Sequence, residues 1–573
     1  MVTSGRDDTS GNLSALWWPV HRTPGYGPVR LDFPGRPWKR LLDLTNRGAS
    51  RNINCIMKQF TVALMVLSLT LTALAQTNTT AGATHLNGRP MSLQDCIQEA
   101  LQHNFDLQIQ RYSPQLSLYN LRADYGGFDP TYNISGQHQW YSGGLTNGGY
   151  EQITAAATNS IPFPRAPSDA NVFKSDLGGT TPWGLQYDFL ANVQQGYGTT
   201  YSGYTNETSS YGKSTSGNIE MDLTQPLLKD FWIDTTRLTI RVAKITLKSS
   251  EQGLRNQFIT TVSAVENAYY ELIFAADDVN VEQEALNLAQ TQLDQDNQRV
   301  EIGTMAILDV QQDEAQVEQS KANLIAAQYA LVKDQNTLKN LLTDAYATWH
   351  DTDIHPTETL SAPFQLFDLQ DSWRKGLTER PDLLQAQLSV EKQGIQLKFD
   401  RNQLYPSLDL TGTYGYNGNS SDYNGTFDEF GRGDQPYYYY GAKLSMPLGN
   451  IQARNNLKAD KVSEKQLLLT LKQLEQTIMV GIDNAIKQAQ SDYQSVQASR
   501  QARIYAAAAL DAEQKKYAVG KSTTFTVLQL QNALTSARSQ EIRALANNNE
   551  DLANLAVQEG TTLERNNIEI QAK

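Results

Sequence analysis

The sequence predicts a mostly helical chain with some β-structure, assembled from a duplicated module of strand pair and long antiparallel helical hairpin. Three observations predict this class. A gapless repeat returns at a fixed offset of 276 residues. Period-two alternation follows a proline in each copy. Four very long stretches lack proline and carry a narrow apolar seam. Only 40% of the 573 residues are hydrophobic and the mean hydropathy is −0.49. That composition argues for an elongated architecture over one large globular core.

The repeat comes first because its period decides the architecture. Leu93-Gln94-Asp95 returns as Leu369-Gln370-Asp371, Asp106-Leu107 as Asp382-Leu383, Leu121 as Leu397, Pro130 as Pro406 and Gly136 as Gly412. Ser92 and Asp368 precede the helical stretches as N-cap residues, and Asp95 and Asp371 follow at the capping-box position. Pro130 and Pro406 mark the change from helix to extended chain, because proline disfavours the α conformation in the residue before it.

After each proline one face of the chain is apolar at alternate positions: Tyr132, Ile134, Gly136, His138 and Trp140, then Leu408, Leu410, Gly412, Tyr414 and Tyr416. Ile219, Met221 and Leu223 lead into Gln225-Pro226-Leu227, and Tyr440, Ala442 and Leu444 lead into Met446-Pro447-Leu448. Each repeat therefore contributes an outward-and-back pair, four principal strands in all. The alternating run from Leu185 to Val193 leaves room for a further hairpin, and the strand count of residues 141–217 stays open. Tyr, Gly, Asn, Ser and Thr dominate these regions, and Tyr437 to Tyr440 reads as part of an aromatic girdle.

Helices are expected over Thr235 to Val300, Ile307 to Ala345, Asn450 to Val519 and Phe525 to Gln558. Val310, Val317, Leu324, Leu331 and Leu338 recur every seven residues, the interval of a coiled coil. A helix of about 66 residues would be on the order of 100 Å long. Gly303 and Gly520 interrupt the pattern and are expected to end a helix in the left-handed conformation.

Near the start, Met57-Lys58, the apolar run Phe60 to Ala75 and Ala73-Leu74-Ala75 before Gln76 read as a signal peptide over 57–75, cleaved between Ala75 and Gln76. Residues 1–56, without periodicity, read as a mis-assigned or disordered leader. Beyond residue 75 the chain holds 39 basic and 57 acidic residues, a net charge of −18, so nucleic acid is not an expected partner. Cys96 is then the single cysteine, which leaves neither an intrachain disulfide nor a lipid-anchor cysteine at the cleavage point. A membrane-spanning part would have to be a closed β-barrel, the alternative to helices that satisfies every backbone group in lipid.

Over residues 91–560 the sequence resembles the TolC family of outer-membrane efflux proteins. The duplicated Leu-Gln-Asp helix starts, the proline-led strands, the two strand exits and the tips at Gly303 to Val310 and Gly520 to Val527 carry the match. The resemblance implies a homotrimer with a transmembrane β-barrel in outer-membrane lipid and a periplasmic α-barrel. It also implies a periplasmic adaptor protein and an inner-membrane pump, of resistance or ABC type. It divides the chain into a first repeat at 91–345, a linker at 346–366, a second repeat at 367–560 and a tail at 561–573. It places a periplasmic gate at Asp309 and Tyr517, with Gln292 and Gln514 as a weaker pair, and adaptor contacts at Gly303, Thr304, Gly520 and Lys521. Ser522 stands where the family has a basic gate residue, and Thr526 and Gln529 stand where it has a ring of acids. A gate with less cation selectivity is expected from that loss of negative potential.

Other signals do not amount to chemistry. Gly520-Lys521-Ser522-Thr523 lacks the glycine of a phosphate-binding loop at Lys515 and follows a helix. His350-Asp351-Thr352-Asp353-Ile354-His355 has no established metal-ligand spacing and reads as a polar surface loop. With no cofactor and no catalytic grouping expected, the reading is a passive export duct of an efflux or type I secretion system. The alternative is an envelope-spanning structural coiled coil or adhesin without a through-channel.

Overall fold

The computed structural model describes residues 88–143, 166–202 and 207–568; the leader, the signal segment with Ala75 and Gln76, and the last five residues lie outside these. In chain order the elements are β1 (Gly88–Met91), α1 (Leu93–His103), α2 (Phe105–Asp124), β2 (Thr131–Gly143), β3 (Ala166–Thr180), β4 (Gln186–Ser202), β5 (Glu207–Pro226), α3 (Thr235–Glu301) and α4 (Ile307–Leu342). There follow the one-turn α5 (Tyr346–Trp349), β6 (Asp353–Pro356), α6 (Leu369–Glu379), α7 (Pro381–Asn402), β7 (Ser407–Ser420), α8 (Tyr423–Arg432), β8 (Pro436–Ser445), α9 (Ile451–Ala518), α10 (Thr524–Glu559) and the short α11 (Thr562–Arg565).

Both repeats start as the sequence indicates, but only one forms the full cap. Ser92 accepts a hydrogen bond from the Asp95 amide and Asp95 reaches back to the Ser92 amide, closing a capping box. In the second copy Asp368 accepts from the Gln370 amide, and Asp371 turns away to pair with Arg374 and Lys375. Asp371 is therefore corrected from box residue to surface ion-pair partner: two cations one turn on outcompete a single backbone donor.

The long hairpins α3–α4 and α9–α10 follow the expected spans closely, 67 and 36 residues in the first and 68 and 36 in the second. Four of the five heptad positions on α4 (Val310, Val317, Leu324 and Leu338) are buried, and Leu331 packs partly buried against the core. One core gathers Ile97, Leu107, Ile259, Val262, Tyr269, Leu272, Leu338 and Leu342 from α1 to α4. Its counterpart gathers Leu383, Ile478, Ile482, Ile486 and Leu555 from α7, α9 and α10. Leu107 and Leu383, repeat equivalents, are both essentially inaccessible. Each such side chain contributes about 1.5–3 kcal/mol.

One expectation about the connecting segments is corrected. The loop around His355 contains β6, which pairs in parallel with β1 and buries Ile354, while the Tyr269 hydroxyl donates to the Met91 carbonyl at 3.1 Å. Ile354 supplied the missed signal, a lone branched apolar residue among polar ones. Among the described residues of the tail, α11 buries Thr562 and Leu563, and Asn566 donates to the buried Glu266 of α3 at 3.2 Å.

The strands form one antiparallel meander in the order β2-β3-β4-β5-β7-β8. The chain thus supplies six sheet strands among the described residues, and the expectation of four principal strands is revised. The additional pair is the hairpin β3–β4, whose turn at 181–185 is tied by Thr181 to Leu185 and Gly184. Where sheet meets helix, Arg237 holds the first exit. Its guanidinium donates to the carbonyls of Phe231 and Asp230 and pairs with its own N-cap, Asp234. Asn402 of the second repeat accepts from the Asp230 amide at 2.7 Å and so ties the two repeats together at this level.

Candidate functional site

Two regions can carry function: the hairpin tips and the two-faced sheet. Both tips have the same backbone. The Gly303 amide donates to Val300 and the Thr304 amide to Arg299; the Gly520 amide donates to Tyr517 and the Lys521 amide to Lys516. With φ of +77° and +76° at the glycines, each tip is a Schellman motif. Gly303, Thr304, Gly520 and Lys521 are all exposed.

About two turns above the tips the hairpins are fastened by one cluster. The Tyr517 hydroxyl lies 2.7 and 2.8 Å from the two carboxylate oxygens of Asp296, whose side chain is fully buried. Gln292 donates to the same carboxylate at 2.6 Å, and Arg299 at 3.2 Å, while the Arg299 guanidinium lies 4.4 Å over the Tyr517 ring. Thr524 meets the same hydroxyl at 2.9 Å. Asp313 of α4 is buried beside Asp296, and neither of its oxygens has a hydrogen-bond partner among the described residues. Burial and the adjoining Asp296 carboxylate push Asp313 up to about 7, with Asp309 adding repulsion. A carboxyl that holds its proton until pH approaches 7 lets two buried acids lie side by side.

Of the residues predicted from sequence, Tyr517 and Gln292 meet at this cluster. Asp309 does not meet Tyr517; it lies half-exposed in the first turn of α4. Gln514 is half-buried and takes no part, so it is not the partner of Gln292. Ser522 donates to Glu513 at 2.6 Å, and Lys516 and Ser522 together hold the Glu513 carboxyl below its ordinary value. The Thr526 amide donates to its N-cap, Thr523, and Gln529 is exposed. Sequence reasoning missed Asp296 and Asp313. The signal was present: Asp313 sits three residues after Val310 and four before Val317, a charge inside the apolar seam.

Register sorts the sheet into two faces. Val193 stands between Phe173 and Gly217, and Phe189 between Leu177 and Met221; Met221 faces Tyr414, and Tyr414 faces Tyr438. These rows, with Ile134, Trp140, Leu410, Tyr440 and Leu444, make a continuous apolar and aromatic face that is largely open, Ile134 at 76% and Tyr440 at 84%. The opposite face carries Asn133, Asp176, Asp188, Asn192, Glu220, Asp222 and Thr413. Tyr437 to Tyr440 divides between the two faces: Tyr438 and Tyr440 join the apolar one, while Tyr437 donates to Glu220 at 2.6 Å on the polar one. At the far end of the apolar face lies α8, with Phe430 against Gly217 and Gly418, Thr426 fully buried and Tyr423 edge-on to Phe173.

No described helix is long and apolar enough to cross a membrane. Among the described residues no group of three or more His, Cys, Asp or Glu side chains is arranged to hold a metal ion.

The family model described as "Outer membrane efflux protein" matches residues 186–343 and 374–560. The chain is similar to outer membrane protein TolC of Escherichia coli (strain K12), at 25% identity over 302 residues, covering 50% of this chain and 59% of that protein. It thus spans little more than half the length of the first curated relatives it matches. It is also similar to the pyoverdine export outer membrane protein OpmQ of Pseudomonas aeruginosa, at 22% identity over 60% of this chain and 70% of that one. The crystal structure of the outer membrane protein VceC from Vibrio cholerae superposes with a TM-score of 0.58 at 16% identity, covering 82% of this chain and 96% of that chain, which speaks for the fold.

Proposed function

The chain belongs to the outer membrane efflux protein family, and from that premise we propose that it is the outer-membrane channel of a tripartite efflux or type I secretion system, a passive duct across the periplasm and the outer membrane. The observation that carries this reading is the two-faced sheet, apolar on one side and polar on the other, continuous with hairpins of about 100 Å. From Leu408 to Tyr416 the apolar face runs about 27 Å along the strand, which at a tilt of 35–45° gives roughly 20 Å of wall, near the ~25 Å band of outer-membrane barrels.

The unit is a homotrimer. Two sheet edges without partners among the described residues cannot stand in lipid. On α2, Phe105, Ile109, Tyr112, Leu116 and Tyr119 recur at spacings of four and three and stand 55–67% exposed, a coiled-coil seam with no partner among the described residues. Helices of neighbouring copies cover it. The polar face then lines the bore and the apolar face meets outer-membrane lipid. The repeats at 91–345 and 367–560 supply the two hairpins of each copy, and a signal segment at 57–75, cut between Ala75 and Gln76, directs export.

The tips carry the periplasmic gate. Tyr517 and Gln292, through Asp296, fasten the inner hairpin to its neighbour; Asp309, Gln514, Ser522, Thr526 and Gln529 surround the opening. Gly303, Thr304, Gly520 and Lys521 meet a periplasmic adaptor, and an inner-membrane pump supplies the energy, so the duct needs no reaction of its own. Planar-bilayer recording tests the whole: low, fluctuating conductance from protein extracted as heat-modifiable trimers from outer membranes supports it. Absence from outer membranes, or trimers with no ion path, would sink it in favour of a structural rod.

A further inference from the structure

The first repeat is longer than the second, and the surplus has a defined place. The helix starts Leu93 and Leu369 lie 276 residues apart, but the tips Gly303 and Gly520 only 217, so the first copy carries 59 residues more between its helix start and its tip. The described part of that surplus is the hairpin β3–β4. It is not an appendage: β3 pairs with β2 over thirteen positions and with β4 over thirteen more, and β4 continues into β5. From Gln186 to Gly196 the face assignment passes through without a slip, and a β-bulge between Gly196 and Gly198 shifts the β4–β5 register by one residue only beyond it. Leu177 lies between Tyr132 and Phe189 on the apolar side, and Asp188 lies between Gly178 and Asp222 on the polar side. Within that span a one-residue shift would have exchanged the faces. The turn between β3 and β4 is short and sits at the helical end of the sheet, whereas two of the three connections at the other end, β2 to β3 and β7 to β8, are longer. That asymmetry is the one outer-membrane barrels share.

The meander has an even number of strands, so its first strand, β2, and its last, β8, run in opposite directions. Set edge to edge, β8 of one copy and β2 of the next continue the antiparallel alternation without interruption. Such a head-to-tail contact closes into a ring when the rotation permits.

Resting on the threefold reading above, we infer that the barrel wall contains eighteen strands, six from each copy, and not the twelve that one strand pair per repeat would give. Barrel diameter grows roughly linearly with strand number, so the bore is about 1.5 times as wide as a twelve-stranded one, a wall of the size that encloses an open aqueous channel. The inserted hairpin is then the element that sets the size of hydrophilic cargo the outer-membrane end admits.

Electron microscopy of the full chain in lipid nanodiscs, with the subunit number taken from native mass, tests this directly. Trimers with eighteen wall strands are the expected result. Trimers with a twelve-stranded wall and residues 166–202 folded outside it would overturn the inference while leaving the trimer intact; a subunit number other than three would overturn the trimer itself. Cysteine labelling gives a second readout. A water-soluble maleimide should modify Asp188→Cys and Asn192→Cys at least tenfold faster than Phe189→Cys and Ala191→Cys, and Cys96, the one native cysteine among the described residues, is fully buried. Equal rates at all four positions would place the hairpin outside the wall.

Discussion

Tyr517 and Asp296 concentrate more interaction at one point than any other pair near the tips. A hydrogen bond to an ionised group contributes about 1.5–3 kcal/mol, and this hydroxyl faces both oxygens of a fully buried carboxylate. Tyr517→Phe should therefore loosen the hairpins by that amount and raise the spontaneous open fraction in bilayer recordings. Asp309→Asn, at a half-exposed site without this bond, should change the open fraction far less. The family resemblance pointed to Tyr517 at the second tip. The sequence did not point to Asp296, because spacing along one helix cannot say which carboxylate of another hairpin comes within 3 Å. Asp313 differs: its place in a seven-residue seam marked it as a buried charge, and a charge there is held by losing it.

At the level of elements, the tip turns are the simplest test of how each hairpin ends. A Cβ added at Gly520 would touch nothing within 4 Å, so Gly520→Ala should cost only the left-handed backbone term, about 1–2 kcal/mol, visible as a lower melting temperature without loss of the fold. In the sheet, Asp176, Asp188, Glu220 and Asp222 occupy adjacent rows of the polar face. Replacing them together with Asn and Gln should reduce cation preference in reversal-potential measurements. Helix spans were legible almost to the residue, because glycine, proline and N-caps punctuate them. The strands were legible as faces but not as a number, since the run of Ser, Thr, Gly and Asn around β3 has a weak alternation that only pairing with β2 and β4 resolves. The pairing of β6 with β1 was hidden for a related reason: two four-residue strands more than 260 residues apart leave no periodicity to read.

For the molecule as a whole, paired acids, buried or half-buried, recur at four helix–helix contacts. Asp313 meets Asp296 between α3 and α4, Glu550 meets Glu271 between α10 and α3, Asp551 meets Asp492 between α10 and α9, and Asp400 meets Asp460 between α7 and α9. Burial first, and the neighbouring carboxylate next, push Asp313, Glu550 and Asp551 up to about 7 and Asp400 to about 6. Folded values above the ordinary ones mean that the folded state holds more protons than the unfolded chain. This contribution to stability is fully present below about pH 4 and is lost as pH rises through about 6 to 7. Thermal melts between pH 5 and pH 8 should show it, and Asp313→Asn with Asp551→Asn should flatten the dependence; an unchanged slope would contradict the account. The tip geometry carries a mechanical corollary. Gly303 and Gly520 protrude beyond the Tyr517 fastening, so an object gripping the bare ends pulls on a rigid arm with its pivot at Asp296. A small sideways displacement there exerts leverage on a handful of polar bonds and leaves the greasy seams higher up undisturbed.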